Sequence, residues 1–237
     1  DIDLVEDPTA LCHKTKEIEQ IILNGELVEV GRRRHTGRFN GDKEGNFKAW
    51  LLQILFHNQA WYLALEYEGE KPEENGLIKI ERLDRLYLSS RHLGERSPEK
   101  QKAALNKMEK LLNNSVGIHL GTNSLEQKQF LSPKTRERKK AETTIKLRFN
   151  DDMFKFISEG TKRFPKNRMK MSPPNGKTQT TTGLFCLEKS PDSRLPNRLE
   201  VTLPKWNLDS IELCKWIVSF GGQVIVEEPP ELREKVR

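Results

Sequence analysis

Two long apolar runs separated by only three polar residues constrain the fold of this chain more than any other feature. The first run, FKAWLLQILF, covers 47–56, and the second, AWYLALEY, covers 60–67. Such runs around a short polar turn predict a β-hairpin, and the first run is apolar enough for a strand buried on both faces. Five short strands within about 65 residues indicate a small barrel of SH3 or Sm type. The other three predicted strands cover 26–34, 77–82 and 86–89.

The last hundred residues predict a second unit that mixes strands and helices. Apolar and polar residues alternate over 141–149, as in a half-exposed strand, and a helix follows as far as Gly160. A basic strand and a long loop within 161–183, a strand at 199–204, a helix and a last strand at 223–228 complete it. This order of strand, helix, strand, strand, helix and strand is that of a ferredoxin-like βαββαβ unit.

These patterns together predict an α+β protein in four segments. Ser97 and Pro98 open an amphipathic helix between the two units, with Ser at the N-cap and Pro at the first helical position. The predicted segments are an N-terminal helix and linker at 1–24, the barrel at 25–90, a helical and basic linker at 91–140 and the ferredoxin-like domain at 141–237.

Positive charge is concentrated in one fifth of the chain. Residues 131–177 contain 14 Lys and Arg against five Asp and Glu, a net charge of +9, whereas the whole chain carries +6. Within this span, 161–177 holds six basic residues and no acidic one. Segregated Lys and Arg suit a phosphate backbone, because their binding releases condensed counterions. A solvated face or a linker is the alternative interpretation of such a run.

Several classes of protein are disfavoured. No run approaches the roughly 18–20 apolar residues of a membrane-spanning helix, and the chain opens at Asp1 without a signal peptide. The five histidines lack metal-ligand spacing, and no phosphate-binding glycine loop or nucleophile motif occurs, so we expect no metal, no cofactor and no enzymatic activity. The three cysteines fit neither a disulfide framework nor a zinc site, which favours a reducing cytoplasm.

Two arginines at the end of the fourth predicted strand are the first candidates for a binding site. Arg82 and Arg85 flank Asp84 in the sequence IERLDRL. Two guanidinium groups near the mouth of a small barrel can bind phosphate or carboxylate bidentately. Pairing of an arginine with Asp84 is the structural alternative, and the sequence favours neither interpretation over the other.

Aromatic residues cluster in the hairpin. Large aromatic side chains in a small barrel usually supply its core, so we predict that Trp50 and Trp61 are buried. Tyr62 points to the opposite face of its strand from Trp61, because side chains alternate along a strand. Tyr62 is therefore the better candidate for a pocket or an interface.

Three sequence motifs in this order resemble the WYL domain and its C-terminal extension. Trp61-Tyr62-Leu63 follows the hairpin turn, and Leu83-Asp84-Arg85-Leu86 ends the next strand. The ending VIVEEPPELREKVR, residues 224–237, resembles the extension that commonly follows WYL domains. The resemblance covers about 14–90 and 141–237. It implies an Sm-like barrel with a ferredoxin-like extension, in the ligand-sensing part of bacterial transcription regulators that dimerise.

The resemblance also implies a nucleic-acid-type ligand, either single-stranded DNA or RNA or a nucleotide, in a basic groove. Arg82 and Arg85 match the arginines of the family motif, and Tyr62 belongs to the name-giving tripeptide, in which Trp61 and Leu63 are expected to be structural. Basic residues of the first strand and of the 161–170 stretch extend the predicted groove. The complete set of predicted ligand-binding residues is Arg32, Arg34, Tyr62, Arg82, Arg85, Arg163 and Arg168.

Two functional hypotheses follow from the resemblance. The first is a sensor module that controls DNA binding by a helix-turn-helix domain, for which the first 24 residues are too short and which we expect outside this sequence. The segments FLSPKTRERKK and RFP…KMSPP resemble a CRISPR-associated subset of the family, which suggests a role in phage defence. The alternative is an accessory protein that binds RNA or single-stranded DNA and modulates a CRISPR effector without binding an operator. We expect a homodimer.

Overall fold

The two apolar runs form a β-hairpin in the computed structural model, which describes residues 8–33, 36–37, 45–160, 163–174 and 176–237. Strand β2 covers Asn46–His57 and strand β3 covers Ala60–Glu68. Both turn residues, Asn58 and Gln59, have positive φ angles. Two-residue turns of this kind match the right-handed twist of the flanking strands. The predicted hairpin is therefore confirmed.

Strand β2 is not buried on both faces, contrary to the prediction. Exposed and buried residues alternate over its first half, so one face packs into the core. A register shift between Leu51 and Gln53 allows Leu52 to be buried beside Leu51. The extra residue of such a bulge, rather than burial of two faces, explains why these two consecutive leucines are both buried. Trp50 is half-buried and lies outside the core, so its predicted core position is also wrong.

The hairpin belongs to the first of two units, which comprises the described residues up to Leu111 together with Leu120–Leu131. Its antiparallel sheet has the strand order β4-β3-β2-β1-β5. Helix α1 is followed by Gly25, whose φ of 62° provides a left-handed stop. The remaining elements that start in this unit are α1 (Thr15–Asn24), β1 (Glu26–Arg32), β4 (Ile78–Arg82), β5 (Leu86–Glu95), α2 (Pro98–Asn113) and α3 (Ser124–Phe130).

The two edge strands of this sheet are joined by only three residues. Strand β4 ends at Arg82, Leu83–Arg85 forms a 3₁₀ turn, and β5 begins at Leu86 on the opposite edge. Three residues span roughly 10 Å at most, so the sheet must curl until its edges approach each other. Among the described residues no hydrogen-bonded ladder joins β4 to β5, and the sheet does not close into a barrel.

The core of the first unit ends before the tip of the hairpin. Leu63, Leu65 and Tyr67 alternate along β3 and are buried. Trp61 continues this alternation but is 55% exposed, and Phe56, its partner across the hairpin, is 61% exposed. The prediction that Trp61 lies in the core is therefore wrong, although its strand face is the expected one. Leu63, which was expected to be structural, is fully buried.

A buried glutamine fastens helix α3 to the edge strand β4. The Gln127 side chain is fully buried, and its Oε1 accepts a hydrogen bond from the Ile78 amide at 2.9 Å. Its Nε2 donates to the carbonyl oxygens of Ile78 and Leu120, both at 2.8 Å. The side-chain amide thus pairs with the edge strand as a neighbouring strand would, and it satisfies backbone groups that burial would otherwise leave unpaired.

The second unit comprises Leu112–His119 and Ser132–Arg237, and its antiparallel sheet has the order β7-β8-β6-β9. Its core includes Ile145, Leu147 and Phe149, which confirms the predicted alternation over 141–149. The elements of this unit are α4 (Thr135–Lys140), β6 (Glu142–Phe149), α5 (Asp151–Gly160), β7 (Met169–Met171), β8 (Asn197–Pro204), α6 (Ile211–Val218), β9 (Val224–Glu228) and α7 (Pro230–Lys235). Both units combine helices with an antiparallel sheet, so the predicted α+β class is confirmed.

Three short helices were not individually predicted from the sequence. Helices α3 and α4 lie within 91–140, and α7 follows the final strand. Each has only six or seven residues, about two turns or fewer, which is too short for apolar periodicity to show. Local signals do exist: the Asn123 side chain caps α3 by accepting from the Leu125 amide at 2.8 Å, and Pro230 begins α7.

We predict that Gln127→Leu lowers the free energy of unfolding by about 2–5 kcal/mol, because it leaves buried backbone groups of Ile78 and Leu120 without partners. Urea denaturation measures the change. The control is Gln129→Leu on the same helix, which we expect to alter stability by less than about 0.5 kcal/mol. Equal stability of the two variants would contradict the role assigned to Gln127.

Candidate functional site

Arg82 is held by the aspartate that the sequence places beside it. Its Nε donates to Asp84 Oδ1 at 3.1 Å, and its Nη2 donates to Asp84 Oδ2. Burial raises the pKa of the Cys12 thiol, and the negative charge of nearby Asp84 raises that pKa further, so Cys12 stays protonated. The structural alternative for Arg82 is thus observed, and Asp84 orients its guanidinium.

Arg85 differs from Arg82 in its charge partners. Its Nη1 donates to the carbonyl oxygen of Gly37 at 3.0 Å, and its own carbonyl accepts from the Arg33 amide at 3.0 Å. Within the described part of the chain, no carboxylate lies at ion-pair distance from the Arg85 guanidinium. The backbone therefore anchors a half-exposed cation whose charge is not neutralised locally.

Tyr62 lies opposite Arg82 in the register between β3 and β4. It is half-buried, and its ring centroid is 6.1 Å from that of His57 in an edge-on arrangement. Arg33, Arg82 and Arg85 are called the arginine rim here. Tyr62 and His57 supply aromatic rings near the Arg82 end of this rim.

Arg32 lies in the interior of the first unit. Its side chain is 1% exposed, and its Nη2 donates to Glu81 Oε1 at 2.7 Å. The same carboxylate oxygen accepts a hydrogen bond from the Tyr67 hydroxyl at 3.2 Å. A ligand phosphate would have to displace Glu81 to reach Arg32. Arg34, which was predicted to act beside it, lies outside the described residues.

The two remaining predicted site residues lie in the second unit. The Arg163 guanidinium carbon lies 5.8 Å from the centre of the Trp216 ring. Arg168 Nη1 donates to Glu142 Oε1 at 2.9 Å, and both side chains are largely buried. Both arginines of the basic stretch therefore have contacts within their own unit.

Arg33 was missed as an individual site residue, although the sequence contains a signal for it. Buried and half-buried positions alternate over the first residues of β1, and Arg32 is buried at its end. Side chains alternate between the faces of a strand, so an inward Arg32 directs the next residue outward. The Arg33 backbone contact with Arg85 spans 52 residues of sequence and could not be predicted from spacing.

Neither a metal site nor a membrane span occurs in the part of the chain that the structure describes. No group of three or more His, Cys, Asp or Glu side chains there is arranged to hold a metal ion. Every described helix is too short or too polar to cross a lipid bilayer. The arrangement of the rim instead suits an anionic ligand, because guanidinium groups bind oxyanions by directed, charge-assisted hydrogen bonds.

Comparison with known proteins assigns a family to the C-terminal part of this α+β chain. Residues 196–237 match the WCX domain, the C-terminal extension of WYL-domain regulators. This match confirms the resemblance of the C-terminal residues to the extension that follows WYL domains.

One solved structure similar to this chain is the proteasome accessory factor B/C (PafBC) of Arthrobacter aurescens. The alignment has 15% identity and a TM-score of 0.32, and it covers 96% of this chain. The chain spans only 26% of the length of that PafBC chain. None of the curated proteins matches.

We predict that Arg32→Met lowers the free energy of unfolding by about 3–5 kcal/mol, because it leaves the buried Glu81 carboxylate without its counter-charge. The double variant Arg32→Met/Glu81→Gln removes that charge and keeps an acceptor for Tyr67, so it should recover most of the loss. Chemical denaturation of both variants measures the difference. An Arg32→Met protein as stable as wild type would contradict a structural role for Arg32.

Proposed function

We propose that this chain is the ligand-sensing module of a WYL-type regulator and that it binds a phosphate-bearing, nucleic-acid-type ligand at the arginine rim. The observation that carries the proposal is the Arg85 guanidinium, which is anchored through Gly37 and has no carboxylate partner among the described residues. A ligand phosphate would supply the missing negative charge in bidentate geometry.

We propose an open barrel of Sm type for the first sheet. Helix α1 precedes the sheet, β1 to β4 follow one another as neighbours, and β5 returns to the free edge of β1. The second sheet supports a ferredoxin-like fold in the same way. In that fold the two strands of each β-α-β connection are not neighbours, and one antiparallel strand lies between them. Here β8 lies between β6 and β7, and β6 lies between β8 and β9.

The proposed ligand is a single strand or a nucleotide because aromatic rings adjoin the arginines. Tyr62 and His57 lie near Arg82, and the hairpin tip adds the exposed rings of Phe56 and Trp61, whose centroids are 5.1 Å apart. Exposed aromatic rings stack on unpaired bases, while arginines bind the phosphates that link them. Binding of this kind weakens steeply with salt.

The wider role rests on the family. The WCX domain and the WYL motifs support a regulator whose DNA binding responds to the ligand. In this proposal the chain binds rather than catalyses, acts as a homodimer in the cytoplasm and serves in phage defence or a CRISPR system. The basic residues of 161–177 would then extend the interaction with nucleic acid.

The test is a fluorescence-anisotropy titration of labelled single-stranded DNA, single-stranded RNA and duplex DNA at several salt concentrations. We expect Arg85→Gln to weaken binding of the preferred single strand by about tenfold or more and to reduce the slope of log affinity against log salt by about 1. The matched control is Arg194→Gln, an exposed arginine of the second unit, which should bind as wild type does.

Each other outcome contradicts part of the proposal. Binding that persists in Arg85→Gln but is lost in Arg163→Gln/Arg168→Gln would move the site to the second unit. A preference for duplex DNA would contradict a single-strand sensor. An absence of binding to every polymer would contradict the polynucleotide ligand, and titration with a mononucleotide would then test the small-ligand form.

A further inference from the structure

A cavity in the first unit shares no residue with the arginine rim. It has a volume of about 550 Å³, within the range of roughly 300–1,000 Å³ that small-molecule sites occupy. Strands β2 and β3, the turn before β4, the end of β5 and the first turns of α2 form its walls. The lining residues that matter for its chemistry are Trp50, Glu66, Gly76, Arg96, Lys100 and Lys107. This cavity is called the Arg96 pocket here.

Two cations in the Arg96 pocket share one carboxylate. Arg96 Nη1 lies 2.5 Å from Glu66 Oε2, and Lys107 Nζ lies 3.6 Å from Glu66 Oε1. All three side chains are mostly withdrawn from solvent, with exposures of 9% for Arg96, 16% for Glu66 and 19% for Lys107. These three side chains carry a net charge of +1, which is unfavourable away from water, although Glu68, Glu95 and Lys100 balance it over the whole lining of the pocket.

Arg96 also has an unused donor. Its Nε donates to Gln101 Oε1 at 2.7 Å, and its Nη1 donates to Glu66. Its Nη2 is buried and has no hydrogen-bond partner in the described part of the chain. More than nine tenths of this side chain is buried, and buried guanidinium groups normally have all their donors satisfied. This unused donor is a second, independent indication that an acceptor is missing from the pocket.

Among the described residues, Lys107 has no carboxylate of its own, because it shares Glu66 with Arg96. Its Nζ donates to the carbonyl oxygen of Gly76, and in the described part of the chain the one carboxylate at ion-pair distance is Glu66, which Arg96 also uses. Burial lowers the pKa of Lys107 in spite of Glu66, and the positive charges of Lys128 and Arg96 contribute to the decrease. An added carboxylate or phosphate would stabilise the charged form of this lysine.

The wall of the pocket favours a flat ligand. The Trp50 Nε1 donates to Glu68 Oε2 at 2.8 Å, which fixes the orientation of the indole ring. The Arg96 guanidinium carbon lies 4.9 Å from the centre of that ring, so a stack of flat groups already begins there. Ala103 and Ala104 of α2 add small apolar surfaces. Towards the open side, Glu95 and Lys100 carry opposite charges.

We propose that the Arg96 pocket binds a small molecule in which a carboxylate or a phosphate is attached to a flat conjugated group. The anion contacts Arg96 and Lys107, and the flat group packs along the Trp50 side of the pocket. This site is separate from the arginine rim, so it does not depend on the proposed function.

Isothermal titration calorimetry with two matched pairs of probes tests this proposal. Benzoate and benzamide differ in the carboxylate charge, and adenosine 5′-monophosphate and adenosine differ in the phosphate. We expect at least one anionic probe to bind about tenfold or more tightly than its neutral counterpart. Comparison of the two pairs shows whether the site prefers carboxylate or phosphate.

The variants assign the binding to the pocket. Lys107→Met keeps the length of the side chain without its charge and should weaken the anionic probe about tenfold or more. Lys102→Met, an exposed lysine of the same helix, should leave affinity unchanged, and circular dichroism of each variant verifies that it is folded. Equal affinity for a probe and its neutral counterpart, unchanged affinity in Lys107→Met, or no binding of any probe would overturn the proposal. Nucleotide binding lost in Arg85→Gln instead would place that ligand at the rim.

Discussion

The buried ion pair between Arg32 and Glu81 is the interaction on which the form of the first unit depends. Arg32 ends β1 and Glu81 belongs to β4, and two other strands separate these in the sheet. A contact of 2.7 Å between them requires the sheet to curl strongly. The same curl places the Arg33 amide against the Arg85 carbonyl and lets three residues connect the two edges. The position of the rim is thus a consequence of the curl.

Arginines that look alike in the sequence have different roles because they face different surroundings. Arg32 is buried against Glu81, Arg82 is paired with its neighbour Asp84, and Arg96 is buried with one donor unused. Arg85 is anchored by backbone contacts and keeps its charge available. Local sequence suggests only the Asp84 pair, since the partners of Arg32 and Arg96 lie 49 and 30 residues away.

Much of the fold follows from local patterns. The hairpin and the alternation over 141–149 need only neighbouring residues, and both are confirmed. The failures share a different cause. Trp61 has the expected strand face, but the extent of the core beneath it depends on how far the whole sheet curls. Gln127 likewise gains its role from an edge strand 49 residues earlier, which no local pattern reveals.

The most direct test of this account is a set of arginine Nε–Hε correlation spectra recorded on the isotope-labelled chain during titration with a single-stranded oligonucleotide. If the rim is the binding site, the Arg85 resonance shifts progressively with added ligand, while those of Arg32 and Arg96 stay fixed because both side chains are buried in contacts of their own. Shifts confined to Arg163 and Arg168, or a saturating titration that leaves Arg85 unchanged, would contradict it.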